Sequence, residues 1–183
     1  MTTRTQYYVA ASLDGRIAED DDGLDWLTTF GGGDATEDEP EGYAEFIQTV
    51  GALVMGARTY DVLVGGLVET WPYEGLPTFV YAHRERPIMD GADVRFVDGA
   101  VGERHDEMVA AANGRHLWVV GGGRLASQYV AAGLLDDLLV TVVPVWLGSG
   151  IPLFTERVDV PMRLAGTQTF ASGMVHLKYD LRV

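Results

Sequence analysis

The chain contains no cysteine, which excludes disulfides, thiolate zinc sites and cysteine nucleophiles. Basic residues are scarce: 13 Lys and Arg stand against 27 Asp and Glu, a net charge of −14. That balance argues against nucleic acid and anionic membranes as partners. No apolar run approaches the ~20 residues of a membrane span, and the opening MTTRTQYYVAASLDG is too polar for a secretion signal. His83, His105, His116 and His176 lack metal-ligand spacing and no H-E-x-x-H occurs, so no metal is expected. Ser12, Ser127, Ser149 and Ser172 lack a G-x-S-x-G context, which argues against a hydrolase triad. What is present, 47% hydrophobic and 22% charged residues over 183 positions, fits one globular domain with a sizeable core. A cytoplasmic protein is compatible with all of this.

The charge is uneven. Eleven acids lie between Ile17 and Ala57 with no Lys or Arg among them, while the rest of the chain is nearly balanced. Thr28–Glu41 is Gly-rich and acidic. It reads as a mobile surface loop whose length fits either a lid over a site or a tolerated insertion.

Periodicity predicts strands at Gln6–Ser12, Ala52–Met55, Thr78–Tyr81, Val94–Val97, Leu117–Val120 and Leu138–Val145. The first is expected to be buried on both faces near Val9–Ala11, and Leu13–Asp25 to be a loop. Helices are predicted over Gly42–Val50, from Arg58 to Leu63, over Val101–Ala112, and after Gly123 until Gly133 stops the run. Met162–Phe170 and Met174–Leu181, joined by Ala171-Ser172-Gly173, read as a hairpin. Alternating strands and helices closed by a hairpin predict a mostly parallel α/β sheet with an antiparallel edge.

Gly121, Gly122 and Gly123 lie between a buried strand and a helix. Such a turn suits a phosphate or pyrophosphate, because it offers unpaired N–H groups at a positive dipole end. It is equally a tight turn of any α/β protein. Gly121–Ala126 formally matches G-x-G-x-x-G/A, but the acids Asp136 and Asp137 open the next strand instead of ending it. An ordinary Rossmann domain is therefore rejected. A second strand-to-helix turn reads Gly56-Ala57-Arg58-Thr59. Arg58, Arg84 and Arg124 each follow a predicted strand, which favours a polyphosphate ligand at the carboxyl ends.

These motifs resemble those of the dihydrofolate reductase fold superfamily, and within it the C-terminal reductase domain of the bifunctional riboflavin-biosynthesis enzyme. The resemblance is carried by Val9–Ala18 (VAASLDGRIA), Trp26-Leu27, Val54–Tyr60 (VMGARTY), Val119–Arg124 (VVGGGR) and Pro144–Gly150 (PVWLGSG), in family order across nearly the whole chain. It implies a three-layer α/β/α sandwich and an NADPH-dependent reductase. It places Gly56, Arg58 and Thr59 on the adenosine-phosphate turn and Gly121, Gly122, Gly123, Arg124 and Leu125 on the pyrophosphate turn. Ala10, Ile17 and Ala18 fall on the nicotinamide pocket, and Trp26 and Thr141 near the substrate. Arg58, Arg84 and Arg124 become candidates for a 2′-phosphate. A homodimer is typical of this branch.

The chain departs from the folate enzymes twice. No acid follows Trp26 in Leu27–Gly33, where those enzymes position the pterin. Leu76 stands where they carry an Arg for the folate carboxylate. The expected substrate is therefore a small heterocycle such as an aminouracil or a pteridine, and not folate. Glu41 and Glu45 are the candidates for a proton donor, beside a bound water. The other reading is a nucleotide-binding protein of this fold without reductase activity. Asp14 is read as the Asp-Gly turn and Trp26 as a core plug that leaves substrate stacking open.

Overall fold

The computed structural model describes residues 2–29 and 41–182. The lid expected over 28–41 falls mainly on 30–40, outside the described residues. The chain opens with β1 (Thr5–Ser12), β2 (Arg16–Ala18) and a one-turn helix, α1 (Asp25–Thr28). Next come α2 (Glu41–Thr49), β3 (Val50–Gly56) and α3 (Ala57–Val62), which runs into a π-helical turn at Leu63–Leu67. Then follow β4 (Thr78–Tyr81), β5 (Val94–Val97), α4 (Val101–Ala111), β6 (His116–Gly121), α5 (Gly123–Ala131) and β7 (Asp137–Val143). The last elements are β8 (Ile151–Pro152), β9 (Arg163–Thr169) and β10 (Val175–Asp180).

The strands form one sheet in the order β5-β4-β3-β6-β1-β7-β10-β9. β5 through β7 are parallel, whereas β10 is antiparallel to both β7 and β9. Successive side chains of a strand point to opposite faces, and the core divides accordingly. Tyr7 and Ala11, Ala52 and Val54, Leu117 and Val119, and Leu138 and Val140 face one way. They meet Val101 and Met108 of α4 and Leu125, Ala126 and Tyr129 of α5. Leu53, Met55, Trp118 and Leu139 face the other way, against Phe46 of α2, Tyr60 of α3, and Trp71 and Tyr73. Two buried layers against one sheet make the expected α/β/α sandwich. On the second face Trp71, Tyr73 and Trp118 meet edge to face. Each such pair adds about 0.5–1.5 kcal/mol beyond its buried area.

Three local expectations change. The loop expected over Leu13–Asp25 contains β2, which pairs antiparallel with β8. It also contains the start of α1, and both elements are too short to carry a periodic signal. Val9 and Ala10 are only partly buried, so the helical layers leave the middle of β1 incompletely covered. The run Leu138–Val145 leaves the sheet after Val143, since Pro144 has no N–H to continue a ladder.

Candidate functional site

β3 and β6 are parallel neighbours, so their carboxyl ends deliver both glycine turns to one place. A Cβ built on Gly56 would lie 3.8 Å from the Gly121 carbonyl oxygen. One on Gly121 or Gly122 would lie 3.7 or 3.6 Å from Thr59 Oγ1, and the latter also 3.9 Å from Ile17 Cδ1. Gly56, Thr59, Gly121, Gly122 and Ile17 therefore converge. The Gly121–Gly122 peptide is cis, and Gly121 has φ +144°, a conformation that requires glycine. Gly122 has φ −86°, which any residue can adopt. Gly123 has a packing role, because a Cβ there would collide with the Pro152 and Leu153 carbonyl oxygens. The Leu125 side chain is buried in the core and leaves only its backbone at the turn.

Arg84, Arg58 and Arg124 follow β4, β3 and β6, three adjacent strands. All three are exposed. Arg58 is engaged: its Nε lies 2.7 Å from an Asp22 carboxylate oxygen, and an Nη donates to the Asp20 carbonyl at 3.3 Å. Arg84 and Arg124 form no ion pair among the described residues.

Next to these turns, the chain after β1 is stitched to the loop after β7. Asp14 Oδ1 accepts hydrogen bonds from Ser12 Oγ at 2.7 Å and the Leu147 N–H at 3.1 Å; Oδ2 accepts from the Gly148 N–H at 2.9 Å. Leu13 N–H donates to Val145 O, and Leu153 N–H to Gly15 O, both at 2.9 Å. The Ser12 bond, against opposing burial and with help from the two backbone donors, holds the Asp14 carboxyl down to about 2. Asp14 is thus more than the turn residue its Asp-Gly pair implied. Ile17 and Ala18 stand half-buried on β2. Leu13 and Trp146, on the two stitched loops, are exposed.

On the α2 side of the sheet, Ala10, Thr141 and His176 lie directly opposite one another on β1, β7 and β10. Thr141 is only 4% exposed, and its Oγ1 is 3.0 Å from His176 Nδ1. The Tyr8 ring lies 5.6 Å from the His176 ring and stacks on Phe46 at 4.5 Å. Trp26 is buried against Val143 and Met174, with Ala10 and Leu27 beside it, which is the core-plug placement. Glu45 is on the exposed side of α2, away from Phe46 and the sheet. Glu41 opens that helix with its side chain outside the described residues. Leu76 is partly buried against the core cluster that includes Tyr60 of α3. Among the described residues no cluster of His, Asp or Glu has the arrangement of a metal site, and no helix is long and apolar enough to cross a membrane.

Sequence reasoning found both glycine turns, because glycine itself is the signal. It missed the Asp14 stitch and His176, whose partners lie 133 and 35 positions away and depend on strand register.

Comparison with known proteins gives a consistent result. Residues 106–176 match the RibD C-terminal domain. Over 98% of both chains, the sequence is 34% identical to the uncharacterized protein YwjB of Bacillus subtilis (strain 168). A Shewanella sp. PV-4 protein assigned to riboflavin biosynthesis has the same fold, with a TM-score of 0.83 at 24% identity over 99% of this chain and 100% of that one. Dihydrofolate reductase from Enterococcus faecalis, solved with NADP(H), matches with a TM-score of 0.65 at 16% identity, over 100% of this chain and 99% of that one. The fold is thus one shared with reductases, and the chain belongs to the RibD C-terminal domain family.

Proposed function

We propose that the protein is an NADPH-dependent reductase of a small heterocycle of the aminouracil or pteridine kind. One observation carries the reading: Gly56, Thr59, Gly121 and Gly122 meet at two neighbouring strand ends. Among the described residues beyond its chain neighbours, a Cβ on Gly122 has only Thr59 Oγ1 and Ile17 Cδ1 within 4 Å. A pyrophosphate needs this kind of close backbone approach, and the first turn of α5 supplies N–H groups without helical partners. The fit extends to Ala10, Ile17 and Ala18, half-buried apolar groups suited to a nicotinamide ring. Reduced nicotinamide supplies the hydride when bound; the protein supplies position and electrostatics. Arg58, Arg84 and Arg124 are the cations for a 2′-phosphate, with Arg58 exchanging Asp22 for the ligand. Trp26 and Thr141 back the substrate side.

Folate is disfavoured, because Leu76, partly buried against the core, stands where a carboxylate-gripping Arg would be needed. The test is NADPH oxidation with 5-amino-6-(5-phosphoribosylamino)uracil, a set of pteridines and dihydrofolate. Turnover is expected with an aminouracil or a pteridine. Dihydrofolate should fall well below the order of 10 per second usual for an enzyme on its own substrate. Tight NADPH binding with no oxidation in the presence of any of these compounds would contradict the reductase reading and leave a nucleotide-binding protein.

A further inference from the structure

We propose that His176, held by Thr141, is the proton-bearing residue of the site; the inference rests on the reductase reading above. The register Ala10↔Thr141↔His176 sets three side chains in a row on one face of β1, β7 and β10, since directly paired residues share a face. Ala10 lies where the nicotinamide is expected. Thr141 is nearly fully buried and its hydroxyl is engaged by His176 Nδ1. The polar group that this row presents is therefore the half-buried imidazole. Its Nε2 makes no hydrogen bond among the described residues. The ring is held on its other side by Tyr8, which is itself stacked on Phe46 of α2. Among the described residues, the other acids near the site are occupied or exposed. Both Asp14 oxygens accept hydrogen bonds, and Asp25 and Glu45 are exposed.

The chemistry balances with one proton from this residue. In the reduction of a substrate C=N bond, a bound reduced nicotinamide would supply the hydride to carbon and be oxidised by that transfer. The π pair moves to nitrogen, which takes the proton from His176 Nε2. The imidazole is left neutral and regains a proton from water.

The charged and titratable groups around His176 are Lys178 on its own strand, Tyr8 on β1 and, beyond Tyr8, Tyr43 on α2. Burial first, and then the Lys178 charge, lower its pKa below the ordinary 6.5. The acid form is complete below that lowered value and is lost as pH rises through it. Turnover should follow the same curve, falling with rising pH through a midpoint under 6.5.

Histidine NMR on the wild-type protein, with NADP+ as the probe, tests the placement without any turnover. Saturating NADP+ should lower the His176 pKa further, through the nicotinamide charge, and leave His83, His105 and His116 unchanged. Gly121–Gly123 amides that respond while His176 does not would overturn the proposal and keep the cofactor reading. No response from either would overturn both. The second arm is His176→Gln, assayed with NADPH and 5-amino-6-(5-phosphoribosylamino)uracil. We expect kcat to fall about a hundredfold, the pH dependence to flatten, and NADPH affinity to hold. Wild-type kcat and pH profile in a folded variant would overturn the proposal.

Discussion

Both oxygens of Asp14 are occupied by donors from its own turn and from Leu147 and Gly148. A carboxylate that accepts several hydrogen bonds loses its proton more readily, and Asp14 is lowered from 3.8 to about 2. The stability it contributes is present above the unfolded value and is lost as pH falls through the folded one. Asp14→Asn should therefore lower the melting temperature at neutral pH, and the gap to wild type should close as pH drops from about 4 towards 2. A constant gap across that range, followed by thermal unfolding, would show that the carboxylate charge is not what holds the loop. Arg58 poses a different problem, because its present partner is Asp22. A 2′-phosphate must displace that exposed pair, which is worth ~0–1 kcal/mol, and gains charge-assisted hydrogen bonds of ~1.5–3 kcal/mol each. NADPH should bind more tightly than NADH, and Arg58→Ala should narrow the difference. Equal dissociation constants for the two cofactors in the wild type would refute this.

At the scale of elements, β9 stands apart. All seven of its residues are exposed, and it closes the sheet as an edge strand beside β10. Leu164 within it and Met162 just before it are exposed apolar side chains at this edge. An uncovered edge is a template for pairing with another chain, which motivates the proposal of a two-fold homodimer. Light scattering at micromolar concentration should give twice the 19.9 kDa of one chain; a monomer alone would contradict it.

The elements also mark what could be read from the sequence. β4 and β5 were predicted at their observed bounds, because short apolar runs between Gly and Pro signals define themselves. β2, β8 and α1 were invisible, since strands of two or three residues show no alternation and a four-residue helix is barely one turn. Their existence depends on contacts between distant parts of the chain. The same divide runs through the site. Gly56 and the Gly121–Gly123 run were legible because glycine advertises a special backbone. The roles of His176 and Asp14 come from register and loop packing, which residue type alone does not encode.

Across the whole molecule, the two ends of the sheet do different work. At the end away from the glycine turns, Arg4 grips the buried Asp137 at 2.7 Å and also reaches Asp180, while Arg182 pairs with the buried Asp136. These contacts fasten both ends of the described chain to the start of β7. The carboxyl ends of β4, β3 and β6 carry the turns, the arginines and the open backbone instead. We propose that one dinucleotide spans those turns, with its pyrophosphate against Gly122. The two neighbouring glycines separate that claim from a purely structural role. A methyl on Gly123 collides with backbone, whereas one on Gly122 meets only ordinary contacts, so Gly122→Ala should fold normally and still obstruct the ligand. The decisive measurement is NADPH affinity by fluorescence titration for Gly122→Ala beside wild type, with both melting temperatures recorded. At least a tenfold loss of affinity, about 1.4 kcal/mol, is expected at a nearly unchanged melting temperature. Wild-type affinity in the folded variant would contradict it.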